Sequence, residues 1–309
     1  IPDAVASYNV GGTTFLVTAN EGDEKEYGAF TERVAVSSGA YSLDAAIFPN
    51  ATVLKQNHNL GRFRATNLNG NTDADAQFET IHCVGTRSFS IFNTTTKQIV
   101  FDSGDDFERY TATNLPTLFN SDHEDNTPKG RSRAKGPEPE GVTIAQIATE
   151  TFAFVSLERV GGVMVYNITN PNNPVFVDYK NSRSTSAYSG DHGPEGITYI
   201  APANSATGKG YILVANEISG TITIYEVDEN TLSNPDFNAE PKTFVIFPNP
   251  ASNSQIVYFN RVADIELYDI TGKLILSEKE ALSINTSKLQ TGVYLVKTSE
   301  GITKKLVVK

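Results

Sequence analysis

The tripeptide Pro-Glu-Gly occurs twice, with Glu140 and Glu195 standing 55 residues apart in a chain of 309 residues. Each copy opens a similar unit: PEGVTI then FAFVSLERVGGVMVYNI, and PEGITYI then YILVANEISGTITIYEV. The second strand of each unit ends at a further glutamate, Glu158 or Glu217, and a partial copy, FLVTANEGDE, puts Glu21 at the same place. Carboxylates brought to one point repel unless they are protonated or share a hard cation such as Ca²⁺. Glu21, Glu140, Glu195 and Glu217 are therefore candidate metal ligands, with a second, transition metal as a further expectation. Glu158 and His192 are the candidate acid/base groups of a hydrolytic reaction in which the metal activates water. The other reading of the repeated glutamates is structural: each bonds backbone amides of the next repeat and staples it.

Two further clusters carry oxygen or nitrogen ligands. Asn71, Asp73, Asp75, Gln77 and Glu79 place oxygens on alternate residues, as at the start of a calcium loop. Ala76 stands where the turn glycine of an EF-hand belongs and His82 where the closing glutamate would be, so the expectation is a short Asx-rich calcium loop or a solvated hairpin. Ser121-Asp-His-Glu-Asp-Asn126, followed by Lys129, Arg131, Arg133 and Lys135, could seat a metal beside an anionic group, with Arg131 and Arg159 as substrate-binding cations. A mobile polar surface loop has the same composition and is the expectation preferred for that segment. His58 and His82 are isolated. No G-x-S-x-G, P-loop or H-E-x-x-H occurs.

The elements that must position these residues are short runs rich in Val, Ile, Phe and Tyr, such as SFSIF, QIVF, TITIYEV and YILVANE, separated by Gly, Asn, Asp and Pro. They make the chain all-β; the only helical expectation is a turn or two around Asn114–Asn120. Repeats of this length with about four strands each indicate β-propeller blades. At about 45–50 residues per blade, residues 1–228 allow four or five. Residues 229–242 are polar, with two prolines, and read as a linker; residues 243–309 read as a small immunoglobulin-like β-sandwich.

Composition bounds the chemistry. The net charge is −11, made up of −13 upstream of residue 243 and +2 beyond it. An acidic body repels nucleic acid phosphates and accepts cations. One cysteine, Cys83, excludes an intrachain disulfide and a cysteine zinc site; its setting, TIHCVG, reads as a strand with a buried thiol. No apolar run is long enough to span a bilayer. The one methionine, Met164, is internal, so Ile1 is not a translational start and upstream sequence is expected to have been removed or to be missing.

The stretches LVTANEGDEKEYGAFTERV, RSFSIFNTTTKQIVFDSGDDFERY, KGPEPEGV, FVSLERVGGVMVYNITNPNNPVFVDY and the second repeat resemble the choice-of-anchor I family over about residues 1–228. That resemblance implies a secreted or surface β-propeller, akin to mesenchyme-specific cell-surface glycoproteins and labelled alkaline-phosphatase-like. It therefore implies metal-dependent phosphoester hydrolysis, with non-enzymatic adhesion around structural calcium as the alternative. It also implies a propeller longer on its N-terminal side. Family members carry an acidic pair before KGPEPEG, where this chain has Arg133-Ala134. FPNPASN, IELYDITGKLIL, INTSKLQTGVYLVKT and the final KKLVVK resemble a type IX secretion sorting domain of type A, found in Bacteroidota. This implies passage through the periplasm by way of the secretion machinery to release or surface attachment.

Overall fold

The structure, a computed structural model, describes residues 2–73, 75–228, 232, 244–299 and 301–309. Two compact units emerge, Ile1–Phe237 and Asn238–Lys309. Most of the expected linker, 229–242, lies outside the described residues.

The first unit is built on three antiparallel meanders. Blade one is β1 (Ala4–Val10), β2 (Thr13–Ala19), β9 (Phe89–Asn93) and β10 (Gln98–Asp102), in that order across the sheet. Blade two is β11 (Pro139–Ile147), β12 (Glu150–Leu157), β13 (Val163–Asn167) and β14 (Val175–Lys180). Blade three is β15 (Pro194–Ile200), β16 (Gly210–Asn216) and β17 (Thr221–Val227). The first strands pack side by side, β1 against β11 and β11 against β15. Alternation along each strand puts apolar side chains on the faces between blades. Tyr8, Val17 and Phe89 of blade one meet Val155, Met164 and Tyr166 of blade two. Phe154, Val165 and Val177 on the opposite face of blade two meet Ile212 and Val214 of blade three.

The described residues thus hold three blades, fewer than the four or five expected from length. The difference is an insertion between β2 and β9. It contains β3 (Glu26–Tyr27) paired with β4 (Phe30–Thr31), β5 (Arg33–Ala35) with β7 (Arg64–Thr66), β6 (Ser42–Leu43) with β8 (Gln77–Phe78), and the single-turn helix α1 (Ala51–Leu54). These short elements close over their own core of Val36, Tyr41, Leu43, Ala65 and Phe78, where the rings of Tyr41 and Phe78 stack at 4.2 Å. Cys83 lies here outside any strand and exposed, contrary to the expected buried strand position. The helix also falls earlier than expected. It is α2 (Asp106–Asn114), with Asp106 and Glu108 in its first turn and Phe107 fully buried, while 116–120 form turns. Acidic side chains suit the positive end of a helix.

Each Pro-Glu-Gly sits in a β-bulge. The β11–β12 register shifts between Pro139 and Val142, and that of β15–β16 between Pro194 and Gly196. A bulge re-aims one side chain out of the pleat, here the glutamate. The glycine after it serves packing. A Cβ on Gly141 would lie 2.4 Å from the backbone oxygen of Glu195 in the next blade, whereas one on Gly196 would meet only the Ala215 Cβ, at 3.5 Å. Gly141→Ala is expected to destabilise the unit by about 1–3 kcal/mol, and Gly196→Ala by less than about 0.5 kcal/mol, measured by urea unfolding. Equal losses would sink this account of the repeat.

The second unit comprises β18 (Ile246–Phe247), β19 (Ile256–Asp269), β20 (Leu274–Asn285), β21 (Gly292–Thr298) and β22 (Thr303–Val308). Breaks in the β19–β20 register between Tyr258 and Ala263 and between Ala263 and Ile265 divide the long strand. Its first part pairs with β18 and its last with β21. The enclosed core includes Phe244, Val257, Phe259, Leu267, Val296 and Leu306.

Candidate metal centre

Three carboxylates meet where blades one and two adjoin. Asp3 precedes β1, Glu21 follows β2, and Glu140 projects from the β11 bulge; an oxygen of each lies within 4.8 Å of the others. Oε2 of Glu140 is buried and has no hydrogen-bond partner. Burial, and then the charges of Glu21, Asp3 and Glu195, push the Glu140 carboxyl up to about 8. Burial also raises Glu21, against the pull of Lys135. These three groups have the composition of a hard-cation site: oxygen donors only, more negative charge than the surroundings balance, and one oxygen left without a donor.

Behind them lies an ionic cluster that balances its own charge. The side chain of Glu138 is fully buried and receives Arg131, Arg159 Nε at 2.7 Å and Lys135 Nζ at 3.3 Å. Burial would raise its carboxyl, but Arg131, Arg159 and Lys135 together hold it below its ordinary value. Lys135 also donates to Glu21 and, at 2.9 Å, to Asp23. Glu158 Oε1 lies 2.8 Å from His123 Nδ1. Burial raises the Glu158 carboxyl, Arg159 opposes this, and the neighbouring Glu138 adds to it. The His123 pKa is lowered, first by burial and then by Arg159. The guanidinium Nη1 of Arg159 lies 2.6 Å from His123 Nε2, a contact that suits a neutral ring.

The sequence candidates are therefore distributed over several places. Glu21 and Glu140 come together, joined by Asp3. Glu195 and Glu217 are exposed and pair with each other; burial and then Glu217 raise the Glu195 carboxyl. Glu158 belongs to the ionic cluster, where an oxygen of it also lies within 4.8 Å of oxygens of Glu21 and Glu138. His192 does not share a hydrogen bond with it: its Nδ1 faces Gly190 O at 3.0 Å, its ring lies 4.4 Å from that of Tyr188, and its Nε2 is buried without a partner. Arg131 and Arg159 both pair with the buried Glu138. Segment 121–126 is anchored, against the expectation of a mobile surface loop. Ser121 and His123 are buried, and Arg183 Nη2 donates to the carbonyls of Asp122 at 2.8 Å and Asp125 at 2.6 Å.

Loop 71–79 also brings carboxylates together, with oxygens of Asp73, Asp75 and Glu79 within 4.8 Å of one another. Several of its oxygens are engaged by its own donors, while Oε1 of Glu79 is buried without a hydrogen-bond partner. Thr72 donates to Glu79 through its amide at 2.6 Å and its hydroxyl at 3.0 Å, Gln77 donates twice to Asp75, and the Asn71 side chain donates to the Asp75 carbonyl. Asp3 and Glu138 were not among the sequence candidates. Glu138 carries a readable signal, the preceding turn of the Pro-Glu-Pro-Glu-Gly run; Asp3 carries none, since only the packing of β1 on β11 brings it to Glu140.

Among the described residues, no helix is long and apolar enough to cross a membrane. Residues 1–171 match the choice-of-anchor I domain, and residues 245–309 match the secretion system C-terminal sorting domain. The chain is 28% identical over 183 residues to Gigasin-3a of Magallana gigas, covering 53% of this chain and 64% of that protein. It is 22% identical over 260 residues to the mesenchyme-specific cell surface glycoprotein of Strongylocentrotus purpuratus, covering 74% of this chain and 31% of that one. The chain thus spans less than two thirds of the length of either relative. With more than half its residues in that domain and a type IX sorting signal at its end, it belongs to the choice-of-anchor I family, in a form directed to secretion or to attachment at the cell surface.

Proposed function

We propose that this exported propeller is a non-enzymatic interaction module held in shape by a divalent hard cation, with Ca²⁺ the best match, at Asp3, Glu21 and Glu140. The observation that carries this reading is the buried, partnerless Oε2 of Glu140 set among carboxylates from two blades. A cation there would tie β1, β2 and β11 together and offset repulsion that otherwise demands a proton on Glu140. A module role agrees with the dispersal of the acid/base candidates, since Glu158 is held by His123 and the Arg131–Arg159–Glu138 cluster, away from any hydrogen bond to His192. The cell-surface name of the sea-urchin relative supports a role in surface interaction.

The test is calcium titration of chelator-treated protein with thermal unfolding. At about a hundredfold excess over Kd, binding contributes about 2.7 kcal/mol, which raises Tm by roughly 5–10 °C. Glu140→Gln is expected to abolish that shift, while Asp73→Asn in the 71–79 loop leaves it. A Tm indifferent to calcium in the unaltered protein would refute the cation. Turnover of p-nitrophenyl phosphate above a blank, lost in Glu140→Gln, would instead establish a hydrolase.

A further inference from the structure

In a protein of net charge −11, two arginines, Arg64 on the insertion and Arg133 in the turn ahead of β11, are brought together by a backbone hydrogen bond. Arg64 lies on β7, directly opposite Ala35 of β5, so Arg33, two residues earlier on β5, shares its face of the ladder. The amide of Arg64 donates to the carbonyl of Arg133 at 3.2 Å, bringing that residue to the same ladder. Arg33 is paired with Glu24 at 2.5 Å and more loosely with the exposed Glu26 at 3.7 Å. Among the described residues, neither Arg64 nor Arg133 makes an ion pair. Burial, then Arg133, then Arg33, lower the pKa of Arg64, with Glu24 opposing them more weakly, as expected for a half-buried cation crowded by its own kind.

The arrangement is held in place. The Arg87 guanidinium donates to the carbonyls on either side of Arg133, those of Ser132, at 2.8 Å, and Ala134. Arg87 is itself anchored to Glu108 at 2.9 Å. The Ala134 amide closes the turn onto Arg131 at 2.9 Å. A tethered turn thus carries one arginine whose carbonyl is bonded by the backbone of a second on a paired strand. Guanidinium forks match the oxygen spacing of tetrahedral oxoanions, and one dianion between two forks turns repulsion into attraction. Because the field of the whole molecule repels anions, binding here must come from direct contacts rather than from general steering.

We propose that Arg64 and Arg133, flanked by Arg33, bind a tetrahedral oxoanion, the phosphate or sulfate group of a ligand. The experiment is calorimetric titration of the full chain in low salt with a chelator present, so that the carboxylate centre takes no part. The probes are inorganic phosphate, N-acetylglucosamine 6-sulfate and unsulfated N-acetylglucosamine. Phosphate or the sulfated sugar should bind and the unsulfated sugar should not. Arg64→Gln and Arg133→Gln should each weaken binding about tenfold, and Arg133→Lys, which keeps the charge but loses the fork, should fall between. Arg109→Gln, on α2 and paired with Asp105 and Asp106, should leave binding unchanged. Tighter binding of the sulfated sugar would assign the site to a ligand-borne group, and equal binding to the free oxoanion. Absence of binding, or an equal loss in the Arg109 variant, overturns the proposal. Arg133 is exposed, so its variants are expected to fold; a normal unfolding transition for them confirms that any loss is local.

Discussion

Replacing Glu138 by glutamine is expected to cost the propeller unit about 3–5 kcal/mol, seen as a large drop in urea midpoint. Glu138 has no exposed side-chain surface and faces Arg131, Arg159 and Lys135. A buried charge cluster is costly to assemble, but removing its anion is worse, because the remaining cations keep their desolvation penalty without attraction. Glutamine keeps the shape and the acceptor oxygen, so the loss isolates charge from packing. The effect should spread. Arg131 and Arg159 both reach Asp122, at 3.7 and 3.3 Å, and Lys135 reaches Glu21 and Asp23. Freed from Glu138, these cations would lean on the carboxylates next to the metal centre, so the variant should also bind calcium more weakly. A variant as stable as the parent would mean that the cluster hydrates easily and holds nothing together.

What the sequence reveals of this arrangement follows the range of the forces involved. The strands and the blade repeat are legible because alternation and the Pro-Glu-Gly bulge are local: β11 and β15 begin at the two tripeptides. The repeat marks Glu21 and Glu140 as candidates but does not place them together, since Glu195 and Glu217 hold equivalent copy positions and stay exposed elsewhere. Asp3 is not marked at all, because its place depends on the register of β1 with β2 and the packing of β1 on β11. The aliphatic stretch around Cys83 misleads for a similar reason. Alternation states a capacity to pair, but the insertion folds over its own small core and leaves that segment without a partner strand. Sequence reveals only the charge of the arginines, and side-chain geometry separates them: Arg131 and Arg159 pair with Glu138, while among the described residues Arg64 and Arg133 make no ion pair.

Stability is expected to fall as pH rises from about 5 to about 9 in chelator-treated protein, and calcium should remove part of that fall. Glu140 has its carboxyl raised to about 8, and Glu158 is raised as well, each chiefly by burial. A carboxyl raised in the folded state holds a proton there that the unfolded chain has already released. Between the ordinary carboxylate range and the folded value, the native state therefore binds more protons, and unfolding becomes easier with each rise in pH. One unit of such displacement is worth about 1.4 kcal/mol. Even heavily discounted for partial exposure, the two groups should lower Tm by on the order of 5 °C across the window. His123 works in the opposite sense: its lowered value means that stability rises with pH as the unfolded chain loses its imidazole proton, so the net fall should be steepest above neutrality. Glu158→Gln, which carries the neutral form permanently, should flatten the alkaline slope and stabilise the protein at pH 9. Calcium should flatten only the Glu140 share, because a cation replaces the proton there, whereas Glu158 is enclosed by His123, Arg159 and Glu138. An alkaline slope unchanged by both Glu158→Gln and calcium would show that neither carboxyl is held protonated in the fold. A slope removed by the substitution alone would leave the ionic cluster as described and count against the cation at Glu140.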